Sequence, residues 1–76
     1  LSNISLLQNP INTELVLVGE LSHIEKYIIT DLSGKIIKQQ VLRGSKIDFD
    51  SSAGLYNLFL LGASEIIAIK FIKADF

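Results

Sequence analysis

Short segments of extended character, separated by turn signals, run along the whole chain. Each segment is rich in β-branched and aromatic residues, and the segments recur about every 8–12 residues, as in antiparallel sandwiches. The pattern predicts one all-β domain over residues 1–76, an immunoglobulin-like β-sandwich of seven short antiparallel strands. The predicted strands are Ile4–Leu7, Glu14–Val18, Ile24–Asp31, Lys35–Leu42, Lys46–Phe49, Leu55–Leu61 and Glu65–Lys73.

The last segment also admits a helical interpretation. Ala, Glu and Lys within Ser64–Lys73 favour a helix, but the four isoleucines of this segment are β-branched and lose side-chain freedom in a helix. The preceding Gly62-Ala63-Ser64 has the composition of a hairpin loop. A strand is therefore predicted here.

Turn residues define the ends of several strands. Pro10 ends the first strand, because proline cannot donate a hydrogen bond to a ladder. Gly34 closes a tight turn after Asp31, where a short hairpin needs a positive φ. Gly54 precedes Tyr56 at the start of the sixth strand. The Tyr56 hydroxyl is expected to bond back to the preceding corner, as in sandwiches with a tyrosine corner.

Size and charge exclude several functional classes. A chain of 76 residues buries only about 60% of its unfolded surface, and its core supplies about 3–5 kcal/mol of net stability. There is no cysteine and hence no disulfide. The seven basic and eight acidic residues form no run of one sign longer than two residues. Nucleic-acid binding is not expected, because it requires a basic patch.

Candidate catalytic and metal-binding residues are sparse. His23 is the only histidine, and Glu20 and Glu25 nearby do not complete the three or four ligands of a metal site. Asp48 and Asp50 would share one face of an extended segment, but a solvated strand edge explains them better than acid–base chemistry or calcium binding. No serine has a nucleophile-elbow setting, and no glycine-rich loop suits a phosphate. We therefore expect no enzymatic activity, no metal and no cofactor.

Side-chain alternation separates an inner face from an outer face of each strand. The inner apolar residues predict the core, and they are Leu15, Leu17, Tyr27, Ile29, Tyr56, Leu58, Leu60, Ile67, Ile69 and Phe71. The outer face of the last two strands is also apolar, with Leu55, Phe59, Ile66, Ala68 and Ile72. Two interpretations remain open: ordinary exposed apolar atoms, or a contact patch. A contact patch would serve the parent protein, another partner, or a homodimer formed through this face or the edge of the last strand.

Four short motifs occur in order along the chain. They are Asn9 and Pro10 in a turn before a strand, Asp31, Gly34 and Lys35 in a hairpin, Gly54 and Tyr56 before the penultimate strand, and Lys70 and Lys73 in the last strand. This set resembles the C-terminal sorting domain (type A) of type IX secretion cargo, over essentially the whole chain. The family's turn is Pro-Asn-Pro-like, and Gln8 stands where its first proline would be. Ala74-Asp75-Phe76 extends past the usual lysine end.

The resemblance implies a secretion signal rather than a catalyst. In the family, the domain directs a larger cargo, which precedes it in the chain, through secretion machinery in the outer membrane of a Gram-negative bacterium. A cell-surface sortase then removes the domain, and the cargo is released or joined to anionic lipopolysaccharide. The chain has no initiator methionine and no basic-then-apolar leader, so we expect a fragment whose parent carries its own export signal. The implied location is the cell surface or the medium, reached through the periplasm.

Two further alternatives remain open. Lys70 and Lys73 are either recognised by the machinery or only protect an edge strand from pairing. The domain as a whole is either a sorting signal or a fibronectin-like accessory module that binds carbohydrate or spaces domains in a secreted enzyme or adhesin. Carbohydrate platforms usually expose aromatic rings, and the chain has no Trp.

Overall fold

Seven strands build the domain, in a computed structural model that describes residues 3–74. They are β1 (Ser5–Leu6), β2 (Glu14–Val18), β3 (Ile24–Asp31), β4 (Ile36–Val41), β5 (Lys46–Asp48), β6 (Gly54–Gly62) and β7 (Ile66–Lys73). A three-stranded sheet has the order β1-β2-β5, and a four-stranded sheet has the order β4-β3-β6-β7. The chain crosses between the sheets after β2, β4 and β5, which gives the predicted immunoglobulin-like sandwich.

The predicted strands are confirmed, and their ends move by at most one residue. β7 pairs with β6 from Ile66 to Lys73 without a register shift, so the helical interpretation of this segment is wrong. Strand length follows the available partners. β1 has only two residues because its ladder with β2 is limited to Ser5 opposite Val18 and Leu6 opposite Leu17.

The core lies between the two sheets. Eight of the ten predicted core residues are buried, whereas Ile67 and Ile69 are only half-buried. These two residues lie on the edge strand β7, which faces a sheet with one strand fewer. The alternation pattern missed Ile11, Ile47 and Phe49, which are also buried, because they lie in a loop, in a three-residue strand and just after it.

Three aromatic rings join the two sheets at one end of the sandwich. Phe49 follows β5, and its ring meets those of Tyr56 on β6 and Phe71 on β7 edge-on, with centroid distances of 4.8 and 5.5 Å. Tyr56 and Phe71 lie side by side at 5.7 Å with an interplanar angle of 25°. Such pairs add about 0.5–1.5 kcal/mol each beyond the burial of their area. This aromatic cluster therefore carries a large share of the stability of a small domain.

Replacing Phe49 by alanine should nearly unfold the domain. Loss of a buried Phe costs about 3–5 kcal/mol, which approaches the whole stability expected of a domain of this size. Urea denaturation followed by far-UV circular dichroism measures the change. The control is Leu32→Ala, which truncates a side chain that is 57% exposed and should cost less than about 0.5 kcal/mol. Equal losses in the two variants would contradict the central role of the cluster.

Candidate functional site

The four motifs, although dispersed in the sequence, meet at one end of the four-stranded sheet. Asp31 at the end of β3 pairs with Tyr56, and Gly54 at the start of β6 pairs with Lys73 at the end of β7. Ile11 forms a parallel bridge with Lys73. We call this region the motif end, and it comprises Asn9–Ile11, Asp31–Lys35, Gly54–Tyr56 and Lys70–Lys73.

Asn9 and Ile11 cover the outer edge of the last residues of β7. The Asn9 side chain accepts a hydrogen bond from the Ile72 amide at 2.9 Å and donates one to the Lys70 carbonyl at 3.4 Å. The Ile11 amide donates to the Ile72 carbonyl, and the Ala74 amide donates to the Ile11 carbonyl, both at 2.8 Å. An amide side chain thus takes the place of a neighbouring strand at this edge. We call Asn9–Ile11 the edge clip.

Gly54 and Tyr56 shape the corner before β6. Gly54 has a φ of +155°, near the limit of the region that favours glycine. The buried Tyr56 places its hydroxyl 2.7 Å from the Ser52 carbonyl, to which it donates a hydrogen bond. The predicted tyrosine corner is therefore confirmed, and its role is to hold the Ser51-Ser52-Ala53 corner against the sheet.

Asp31 organises the hairpin between β3 and β4. Its Oδ1 accepts hydrogen bonds from the Ser33 hydroxyl at 2.7 Å, the Ser33 amide at 2.9 Å and the Lys35 amide at 3.0 Å. The Ser33 side chain and the Lys35 amide lower the pKa of Asp31 below its ordinary value of 3.8, because they stabilise the carboxylate. Gly34 has a φ of +92°, so its predicted positive φ is confirmed.

The two lysines of the last strand lie in different environments. Lys70 is exposed on the outer face of the sheet, whereas Lys73 is buried, with 7% of its surface exposed. The Lys73 Nζ donates to the Ala74 carbonyl at 3.1 Å. Three residues of separation put two strand side chains on opposite faces, which explains the difference. Recognition and edge protection, the two roles considered for these lysines, both require an exposed side chain, so they apply only to Lys70.

The outer face of the four-stranded sheet is apolar, as its alternation predicts. Leu55 and Ile72 are 45% and 43% exposed at the motif end, and Ile66 is 67% exposed at the other end. Phe59 lies between them, half-buried. Pro10, Lys35 and Lys70 are exposed around the motif end. The accessible surface of this region is therefore an apolar sheet face with basic groups beside it.

The remaining candidate residues do not converge on a site. His23 Nε2 lies 2.5 Å from a carboxylate oxygen of Glu65, and this contact joins the β2–β3 and β6–β7 turns. Asp48 and Asp50 are exposed near the end of β5. Among residues 3–74, no three His, Cys, Asp or Glu side chains are grouped in a way that would hold a metal ion. No helix in the described part of the chain is long and apolar enough to span a membrane.

Comparisons with models of protein families, with curated proteins and with solved structures found no match for this chain.

Sequence reasoning missed how the edge clip works. The sequence pattern places Asn9 only in a turn, but its side chain bonds to residues more than sixty positions away. No local pattern marks such a contact. The one available signal was the apolar Ile11 directly after Asn9-Pro10, because a buried side chain in a loop indicates that the loop packs on the core.

Removing the Asn9 side chain should loosen the end of β7. Asn9→Ala deletes the acceptor for the Ile72 amide and should cost about 0.5–1.5 kcal/mol, because water replaces the bond only in part. Amide hydrogen exchange should show faster exchange at Ile72. The matched control is Asn12→Ala, which truncates a nearby exposed asparagine. Unchanged exchange at Ile72 in the Asn9 variant would contradict the edge clip.

The Asp31 carboxylate should make stability depend on pH. A lowered pKa in the folded state means that the stabilisation is complete above the ordinary value of 3.8 and disappears as the pH falls through the lowered value. Asp31→Asn keeps the acceptor oxygen and removes the charge. The parent chain should therefore be more stable than this variant at neutral pH, and the gap should close in acid. Urea denaturation at a series of pH values tests this, and a gap that does not change with pH would contradict it.

Proposed function

We propose that this domain is a non-catalytic C-terminal secretion signal, which directs a larger cargo protein through the outer membrane by a type IX machinery. The cargo domain would precede it in the parent chain, and a surface sortase would remove it after export. The partners are then the secretion machinery and the sortase, and the site of action is the cell surface. The proposal rests on the resemblance of the four motifs to those of sorting domains.

The observation that carries the proposal is the convergence of the four motifs at the motif end. Segments separated by up to 63 residues lie together on one sheet and its edge, through the Asp31–Tyr56 and Gly54–Lys73 pairs and the bonds of Asn9. A set of weak sequence matches that also forms one connected structure is better support than the same matches scattered over the surface.

The motif residues divide into two groups by what their side chains do. Asn9, Asp31 and Tyr56 hold the backbone through hydrogen bonds within the domain. Lys35 and Lys70 are exposed and free to meet a partner from solvent. The proposal therefore assigns recognition to the exposed lysines with the apolar sheet face beside them, and assigns presentation of that surface to the first group.

Fusion of residues 1–76 to the C-terminus of a periplasmic reporter tests the proposal. In a host with a type IX system, the reporter should appear outside the outer membrane. Lys70→Ala should reduce export severalfold and leave the fold intact, since exposed lysines contribute little to stability. Lys26→Ala is the matched control, because Lys26 is exposed on the outer face of the same sheet but near the start of β3, at the end opposite the motif end.

Variants of the residues that hold the backbone of the motif end should lose export for a different reason. Tyr56→Ala removes a buried ring and should abolish export by unfolding the domain, at a cost of about 3–5 kcal/mol. Circular dichroism of the purified variants separates this outcome from lost recognition. Equal export of the Lys70 and Lys26 variants would indicate that Lys70 only protects the edge strand from pairing. A folded fusion that is not exported would contradict the secretion-signal proposal and favour the interpretation as an accessory module.

A further inference from the structure

The free edges of the two sheets differ in how well they are protected against pairing. Within residues 3–74, the edges of the three-stranded sheet are β1 and β5, with only two and three residues. The edge strand β4 has a register shift near Ile37, and the Lys38 ammonium bonds to the Asp48 carbonyl across the side of the sandwich. Short strands, bulges and lysines are the usual means by which edges avoid other chains.

β7 is an edge of another kind, because it is long and its register with β6 is unbroken. The edge clip covers only its last part, through bonds to Ile72, Lys70 and Ala74. Residues Ile66–Lys70, which we call the open edge, have no neighbouring strand in the described part of the chain. The bond of the edge clip to this segment is the one from the Asn9 side chain to the Lys70 carbonyl at 3.4 Å, and a carbonyl oxygen has a second lone pair for another donor.

The open edge presents hydrogen-bonding groups between apolar side chains. The amide and carbonyl of Ile72 point outward to the edge clip, so by the alternation of an antiparallel ladder those of Ile66 and Ala68 also point outward. Ile66 and Ala68 are exposed on the outer face, and Ile67 and Ile69 are half-buried on the inner face. A strand added here would gain backbone bonds and apolar contacts on both faces.

We propose that the open edge pairs with the open edge of a second copy of this chain, antiparallel and centred on Ala68. The sequence Ile66-Ile67-Ala68-Ile69-Lys70 is complementary to itself in this register. Ile67 meets the partner's Ile69 on the inner face. Lys70 meets the partner's Ile66 on the outer face, and no two like charges stand opposite each other. The result is a continuous eight-stranded sheet with two-fold symmetry.

Charge disfavours the other way in which two copies could associate. Stacking the outer faces of two four-stranded sheets would bring Lys70 of each copy into the interface. Glu25 is exposed beside Lys26 at the bulge of β3, but the row of Lys70 contains only Asn57, Thr30 and Ile36 and has no acidic side chain. Burying unpaired charges is unfavourable. Edge pairing leaves both lysines at the surface.

Sedimentation equilibrium of the chain from micromolar to millimolar concentration tests for the dimer. Ile66→Lys places a lysine opposite the partner's Lys70 at two symmetric positions and should weaken dimerisation about tenfold or more. The double variant Ile66→Lys with Lys70→Glu should restore it, because each new lysine then faces a glutamate. Positions 66 and 70 are not neighbours within one strand, so this rescue reports the pairing register.

Ile36→Lys is the matched control. Ile36 is the first residue of the edge strand β4, as Ile66 is of β7, and the two are exposed on the outer face by 53% and 67%. The control should leave dimerisation unchanged. Equal weakening by both single variants would indicate face stacking and overturn the proposal.

Hydrogen exchange of the unmodified chain provides a second readout. With rising concentration, the amides of Ile66 and Ala68 should become protected, and those of Ile36–Val41 should not. A monomer at millimolar concentration, or protection confined to β4, would overturn the proposal. Protection of the open edge that appears only with added cell-envelope proteins, and never with the chain alone, would assign the edge to a foreign strand and overturn the second copy as its occupant.

Discussion

The packing of Phe49 against Tyr56 and Phe71 is the interaction on which the rest of this structure depends. Phe49 comes from the three-stranded side, where its amide also donates a hydrogen bond to the Thr13 carbonyl at 2.9 Å. Its ring packs edge-on against two rings of the other sheet. Few large side chains are available to so small a core, so one triad of rings determines how the sheets meet. Tyr56 can hold the Ser52 carbonyl only because its ring is fixed in that triad.

The aromatic cluster also explains why the motif end is ordered. Phe71 lies between Lys70 and Ile72, two of the residues whose backbone the edge clip binds. Because the Phe71 ring is fixed in the core, the backbone on either side of it has a defined position, and the Asn9 side chain can match it. Ile11 closes the arrangement, since its own side chain is fully buried while its backbone bonds to β7. The packing of the core thus determines the shape of the candidate site.

The strands were predictable from sequence, whereas the long-range contacts at the motif end were not. Alternation within a strand places Leu58 and Leu60 on one face, and both are buried. Alternation cannot show that the opposing sheet is narrower, which leaves Ile67 and Ile69 half-buried, nor that Lys73 is covered by the chain next to Ile11. These outcomes depend on which distant segment crosses a given strand, and period-two patterns carry no information about that.

The same limit applies to the edges of the sheets. The sequence showed an apolar outer face but could not separate the two edge strands, because their protection comes from pairing. The register shift in β4 and the partial cover of β7 by Asn9 are features of the ladders, and they make two strands of similar composition behave differently toward solvent. A small sandwich can tolerate an apolar sheet face if most of its edge strands are protected against pairing. Ordered association of such faces requires backbone hydrogen bonds between edge strands as well as apolar contact.

Structural and recognition roles are hard to separate at the motif end, because single residues serve in both. The Lys70 carbonyl accepts a bond from the Asn9 side chain while its own side chain is exposed. A change at Asn9 would therefore shift the Lys70 ammonium without touching any group that a partner contacts. If the domain is a sorting signal, loss of export in a motif variant is by itself no proof of contact with the machinery. Only an exposed residue whose side chain makes no bond that holds the backbone, compared with a control on the same sheet, can distinguish recognition from presentation. Lys70 and Lys26 are such a pair, since their side chains lie on one face and only Lys70 belongs to the motif end.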